Sequence, residues 1–239
     1  MLTTLELSTY HRRVKPDLAW QASLFDSGPP QIDVSFAGLT RLQLDETSWV
    51  DHCPGWLAGS DEVFARLLES SRWDQRRVHM YDRVLPEPRL TAGWSTDVAD
   101  ESTPPELPQM CYALSERYGV RFDRVWVNLY RDGSDSVAWH GDRNAKVHRN
   151  PLVATVSIGA RRKFQLRAKG TTRVAHTLSL GHGDLVVMGG ACQHDWEHTV
   201  PKVAKAPGAR MSITIRHSQG ELLTPEKPPD LRKADSRYW

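Results

Sequence analysis

A chain of 239 residues with a net charge of +2 can bury one full core plus extensions, and its ordinary apolar and charged fractions argue against a disordered or fibrous protein. No apolar run reaches membrane-spanning length and residues 1–15 lack an apolar signal stretch, so a cytoplasmic protein with no membrane partner is expected. Cys53, Cys111 and Cys192 are odd in number and lack C-x-x-C spacing, which argues against a disulfide framework or a cysteine zinc site.

In chain order, residues 1–44 are mixed in texture, with a Ser27-Gly28-Pro29-Pro30 break, and read as a partly ordered N-terminal extension. A single domain is expected over 45–217. It opens with Trp49, Val50, Trp56 and Leu57 around Pro54-Gly55. Ser60 is a cap for a helix carrying Val63, Phe64, Leu67 and Leu68 on one face. A strand is expected over 76–80, then a rigid loop from Pro86 to Thr91 ending near Trp94. Pro105 opens a second helix with Leu107, Met110, Cys111, Leu114 and Tyr118 at helical spacing, stopped by Gly119.

After Phe122 the pattern changes to short strands, at 124–130, 137–140, 152–158, 163–167, 174–179, 184–188 and 210–216, separated by Gly, Asn or Pro. Past His217, Pro225, Pro228 and Pro229 mark a loose tail over 218–239. Two helices followed by many short strands predict an α+β fold that is mainly β: a double-stranded β-helix, or jelly-roll, core with supporting N-terminal helices.

The chemistry concentrates between Arg124 and Asp142. Val125, Val127 and Leu129 alternate with Trp126, Asn128 and Tyr130, so one strand face is apolar and the other carries polar tips. After a turn through Arg131–Asp135 the chain is extended again and delivers His140-Gly141-Asp142. Residues i and i+2 of an extended chain point to one side, so His140 and Asp142 are placed to share one ion. The tripeptide alone is also what a surface turn looks like. A third histidine decides the matter, and His176, His182, His194 and His198 all follow. Two His and one carboxylate leave open positions on a metal, the arrangement suited to Fe(II) that binds a co-substrate and O₂. Further on, Arg210, Ser212, Thr214 and Arg216 share one strand face opposite Met211, Ile213 and Ile215. That polar face either meets the interior, which is unusual, or belongs to a solvated edge strand.

Asn128-x-Tyr130, His140-x-Asp142, His198 and Arg210-x-Ser212-x-Thr214-x-Arg216 together resemble the AlkB family of Fe(II)/2-oxoglutarate dioxygenases. Ser157-x-Gly159-x-x-Arg162-x-Phe164, Pro88-Arg89-Leu90-Thr91, Asp195-Trp196-x-His198 and Val200-Pro201 extend the resemblance, in order, over about residues 76–217. It implies that His140, Asp142 and His198 hold the catalytic Fe(II). Arg210 and Tyr130, with Ser212, would bind the far carboxylate of 2-oxoglutarate. Asn128 and Arg216 would contact its near carboxylate, with Thr214 assisting. It implies oxidative removal of alkyl groups from bases such as 1-methyladenine and 3-methylcytosine in DNA or RNA, releasing formaldehyde, succinate and CO₂. Two departures stand out: Arg143-Asn144 follow the metal Asp where relatives often carry a further acid, and Ser212 replaces the usual Asn.

On the substrate side, Met80, Tyr81 and Trp94 are candidates for a lid over the base, with Arg89 and Arg143 nearby; ordinary packing is the other reading. Arg161, Arg162 and Lys163 begin an acid-free basic block that either contacts phosphate or forms a solvated hairpin. A monomer that prefers single-stranded alkylated nucleic acid is expected. Two further readings stand beside it. The same iron chemistry on a protein, lipid or small molecule would suit Arg143. A catalytically silent nucleic-acid-binding module would need neither the ligands nor the arginines.

Overall fold

The computed structural model describes residues 16, 18, 28–80, 83–96, 103–142, 149–204 and 208–221; for 78–80, 83 and 218–221 it describes the backbone alone. In chain order the elements are β1 (Gln31–Ile32), β2 (Thr40–Gln43), β3 (Ser48–Cys53), β4 (Leu57–Ala58), α1 (Ser60–Ser70), β5 (Arg77–Met80), β6 (Arg83–Pro86), β7 (Leu90–Ser95) and α2 (Glu106–Tyr118). Then follow β8 (Val120–Tyr130), β9 (Val137–His140), β10 (Val153–Gly159), β11 (Arg162–Ala168), β12 (His176–Leu180), β13 (Asp184–Gly190), α3 (Cys192–Asp195), β14 (Trp196–Val200) and β15 (Arg210–Glu221).

Two antiparallel sheets carry the fold. The larger has seven strands in the order β2-β3-β13-β10-β15-β8-β7, and the smaller has four in the order β12-β11-β14-β9. The crossovers are those of the expected jelly-roll, with β15, late in the chain, inserted between β8 and β10. The larger sheet includes β2, so residues 40–43 lie in its ladder and pair with β3. At the other end β15 continues to Glu221, beyond His217.

One face of the larger sheet packs on the helices. Val125, Val127 and Leu129 of β8, Met211, Ile213 and Ile215 of β15, and Val156 and Ile158 of β10 bury against Phe64 and Leu67 of α1 and Leu107, Met110 and Leu114 of α2. Apart from those of β10, these are the residues whose spacing marked strand and helix faces, and each fully buried Val or Leu contributes about 1.5–3 kcal/mol. A second cluster fills the space between the sheets, with Tyr130, Val186 and Met188 meeting Phe164, Leu166 and Trp196.

Two local details differ from the sequence expectation. Gly59, with φ 64°, occupies the N-cap of α1, while the Ser60 hydroxyl donates back to the Leu57 carbonyl at 2.7 Å. The stretch after Pro88 is a strand rather than a loop: β7 pairs with β8 through Thr91–Asn128 and Gly93–Trp126. The second helix does end at Gly119, whose φ of 68° lets its N–H reach the Ser115 carbonyl.

Candidate active site

The polar face of β15 lies inside the molecule, because β15 is an interior strand. Arg210 sits opposite Tyr130 on β8 and Gly159 on β10; Ser212 opposite Asn128 and Ser157; Thr214 opposite Trp126 and Thr155. Those rows form one wall of a cavity of about 860 Å³, a size suited to small-molecule ligands. The solvated-edge reading of this strand therefore fails.

The opposite wall carries the candidate metal ligands. His140 ends β9 and pairs in register with His198 on β14, with an irregularity between His198 and Val200. Asp142 follows two residues later, and the nearest ligand atoms of His140, Asp142 and His198 all lie within 4.8 Å of one another. Gly141 between them is obligatory, because a Cβ there would sit 2.7 Å from the Gln193 carbonyl. The Asp142 N–H donates to Gln193 Oε1 at 2.8 Å, which fixes the turn that presents the carboxylate. His140 Nδ1 donates to the Ala138 carbonyl at 2.8 Å, leaving Nε2 for an ion.

Electrostatics suit a cation here. His198 is buried, stacks on Phe164 at a centroid distance of 5.2 Å, and has its pKa pushed down to about 3 by desolvation and by His140, so it is the neutral imidazole a metal requires. Asp142 is buried as well. Burial alone would raise its pKa, but the Arg216 guanidinium, hydrogen-bonded to Oδ1, and the two histidines outweigh it and the net shift is downward. The other histidines lie elsewhere. His194 Nε2 is 3.0 Å from the Arg149 carbonyl, His182 is 3.1 Å from Asp61, and His176 packs on Trp196.

Arg210 reports what the deeper end of the cavity wants. It is almost wholly buried, donates through Nε to Ser157 Oγ at 2.9 Å, and lies 5.1 Å from the Tyr130 ring centroid. Its Nη1 is buried with no hydrogen-bond partner among the described residues, and so is Arg216 Nε. A buried guanidinium with an open donor calls for a carboxylate, since an uncompensated charge at that depth is costly. The open donor of Arg210 at one end of the cavity, and Arg216 paired with Asp142 of the metal triad at the other, fit a dicarboxylate that also meets the metal.

The family profile of the 2OG-Fe(II) oxygenase superfamily matches residues 52–216. Alpha-ketoglutarate-dependent dioxygenase alkB homolog 3 of Bos taurus is 33% identical over 208 residues, covering 79% of this chain and 70% of that protein. The human alkB homolog 3 is 31% identical over 208 residues, with the same two coverages of 79% and 70%. The chain is an AlkB-family dioxygenase. DNA oxidative demethylase ALKBH2 of Arabidopsis thaliana is 36% identical over 120 residues, covering 41% of this chain and 38% of that protein. The solved structure of OsALKBH1 superposes with a TM-score of 0.52 at 16% identity, covering 74% of this chain and all of that one, which supports the jelly-roll fold. Membership of the family, together with the His-Asp-His triad, makes Fe(II), 2-oxoglutarate and O₂ its cofactor and co-substrates.

The substrate-side candidates of this AlkB-family chain separate. Arg89 lines the cavity and donates through Nε to Asn128 Oδ1 at 3.1 Å. Trp94 packs against the helix-facing core, on the other side of the sheet. Tyr81 and Arg143 lie outside the described residues, as does the side chain of Met80. Arg161 and Lys163 are exposed, and Arg161 Nη1 donates to the Ser179 carbonyl at 2.9 Å. Arg162 is buried: it donates to the carbonyls of Asp132 at 3.0 Å, Asp135 at 2.9 Å and Pro201 at 2.7 Å. It therefore clamps two loops and faces no phosphate. Arg162→Ala should cost roughly 1.5–3 kcal/mol and lower the melting temperature by about 3–12 °C by calorimetry. An unchanged melting temperature with lost turnover would return Arg162 to the substrate side.

The sequence reading gave no role in the site to Trp126, Glu87, Arg76, Ser157 or Gln193. Trp126 shares the polar face of β8 with Asn128 and Tyr130, a signal that was available from the alternation. Its ring lies over Gly93, where a Cβ would come within 2.5 Å of it, and the Arg76 guanidinium lies 4.5 Å from the ring centroid. Nothing local marks Gln193, which reaches Asp142 from the short helix α3.

Proposed function

We propose that this dioxygenase oxidatively dealkylates N-alkylated bases, such as 1-methyladenine and 3-methylcytosine, in DNA or RNA. The observation that carries the reading is its likeness, over most of its length, to the alkB homolog 3 dioxygenases, joined by the shorter match to the DNA oxidative demethylases. A cavity of about 860 Å³, of a size that takes small-molecule ligands, supports it.

His140, Asp142 and His198 hold the iron. Arg210, with Tyr130 and Ser212, binds the far carboxylate of 2-oxoglutarate through the open Nη1 donor; Asn128 and Arg216 meet the near carboxylate, and Thr214 fills the row between them. Ser212 serves where a longer amide would reach further. Bound Fe(II) with O₂ supplies an oxidant for the alkyl C–H bond while 2-oxoglutarate becomes succinate and CO₂. The protein's own share is positional: β8, β10 and β15 hold the co-substrate in a fixed ladder, and the mouth holds the base over the iron side.

The direct test is a panel of methylated oligonucleotides incubated with Fe(II) and 2-oxoglutarate and read by mass. Loss of the methyl group with release of formaldehyde is expected. Conversion of 2-oxoglutarate with every oligonucleotide left intact would overturn the reading in favour of a protein, lipid or small-molecule substrate.

Single-stranded oligonucleotides should react faster than duplexes, because extracting a paired base costs roughly a few kcal/mol. Turnover at limiting substrate should fall as salt rises, each phosphate contact releasing counterions. In Arg161→Glu with Lys163→Glu the KM for oligonucleotide should rise several-fold with kcat retained. An unmoved KM would place the strand on another surface.

A further inference from the structure

We infer that Gln193 is a positioning residue of the metal site: its side-chain amide stands in for a strand partner that Asp142 lacks, and so sets how tightly the triad holds a cation. The inference rests on the assignment of His140, Asp142 and His198 as the ligands under the proposed function, and holds whichever substrate the enzyme takes.

The need arises from the backbone. β9 is an edge strand whose sheet neighbour, among the described residues, is β14, and their pairing reaches only to His140 opposite His198. Asp142 lies past that point, so no strand carbonyl faces its N–H. β14 itself begins at Trp196, and the chain before it is coiled into α3. A buried N–H without an acceptor is costly, and Gln193 Oε1 supplies one at 2.8 Å.

Gln193 is held as a rigid acceptor. The short helix that carries it is tied on both sides, by the Ala191 N–H on the Thr47 carbonyl at 3.2 Å and by the Lys169 N–H on the Asp195 carbonyl at 2.8 Å. Its side chain is buried, and Nε2 donates to Met188 Sδ on β13 at 3.3 Å. A thioether accepts and does not donate, so the amide has one favourable orientation, with nitrogen toward Met188 and oxygen toward Asp142. The Gln193 carbonyl lies against Gly141 as well, where a Cβ would come within 2.7 Å. One residue therefore grips the metal turn twice, at Gly141 and at Asp142.

Arg216 is the competing pull. It is hydrogen-bonded to Asp142 Oδ1, while Oδ2 lies 3.8 Å from His198 Nε2. A facial site needs Asp142 to keep an oxygen facing the two imidazoles. With its N–H released, the carboxylate is free to follow the guanidinium away from the histidines, and the ligand set loosens. Groups that orient metal ligands from behind commonly change metal affinity by about 10–100-fold when removed.

The test is an anaerobic Fe(II) titration of the full chain without 2-oxoglutarate, repeated with Co(II), whose visible bands report ligand geometry. Gln193→Met keeps the length and removes the acceptor, and should weaken both metals by about tenfold or more and shift the Co(II) bands. Gln193→Glu, which returns an oxygen at the same reach, should recover most of the affinity. Wild-type affinity in Gln193→Met would overturn the inference. Equal losses in the two variants would overturn it too, by showing that the side chain acts through packing alone. Should Gln193→Met not fold, Gln193→Asn, too short to reach Asp142, puts the same question with less packing lost, and wild-type affinity there overturns the inference equally. His198→Ala, titrated alongside, separates the two assignments. Affinity kept in that variant would overturn the ligand set, whereas affinity lost there and kept in Gln193→Met would overturn the role of Gln193 alone.

Discussion

Fe(II)-dependent succinate formation is expected to fall to background in His198→Ala, with the circular dichroism spectrum preserved. His198 is the one ligand contributed by β14, and it faces His140 across the β9–β14 pair. Removing it leaves His140 and Asp142, which come from a single turn and cannot by themselves close a facial site. An anaerobic Fe(II) titration gives a second readout that does not depend on turnover, and affinity should drop steeply. His194→Ala is the control: its ring meets the Arg149 carbonyl outside the triad, so both iron binding and succinate formation should persist. The reverse pattern, with His194 essential and His198 dispensable, would overturn the ligand assignment.

Arg210→Ala should raise the apparent KM for 2-oxoglutarate by roughly ten- to a hundredfold, since hydrogen bonds to charged groups are worth about 1.5–3 kcal/mol. The wild-type arginine is buried beside Tyr130 and Ser157 with one donor open, so a carboxylate bound there exchanges a desolvated cation for a satisfied pair. Lysine should not rescue it, because a point charge on a flexible stem cannot keep Nε on Ser157 while offering a second donor. A KM that stays unchanged would move the far carboxylate to another part of the cavity.

The parts of the fold carried by short-range pattern were legible in the sequence. The alternation in β8 and β15 told the core face from the polar face, and the spacing of Leu107, Met110 and Leu114 with Gly119 behind them marked a helix and its end. What could not be read were relations that exist only across distance. β7 looked like loop because Pro86 and Pro88 dominate its approach, and only pairing with β8 makes it a strand. Arg162 looked like part of a basic surface because its neighbours Arg161 and Lys163 are one. It sits instead on the inward face of β11, where three main-chain carbonyls from two loops converge on it. Trp94, one of the residues named for the lid, points the other way from Trp126, since the pleat sends adjacent strands' register partners to the same side and Trp94 pairs with Val125.

The cavity is assembled from two kinds of backbone. Its co-substrate end is written on three adjacent strands, β8, β10 and β15, whose relative positions are set by unbroken main-chain ladders. Its mouth is written on connecting segments and a two-stranded ribbon, where Arg76, Leu85, Glu87 and Arg89 project. Sequence drift in the first region breaks the enzyme, because every side chain there is registered to its neighbours by the sheet. Drift in the second leaves the oxidant and its fuel undisturbed. Such a division lets descendants of one scaffold acquire new substrates by changing a few rim positions, while inheriting the chemistry intact.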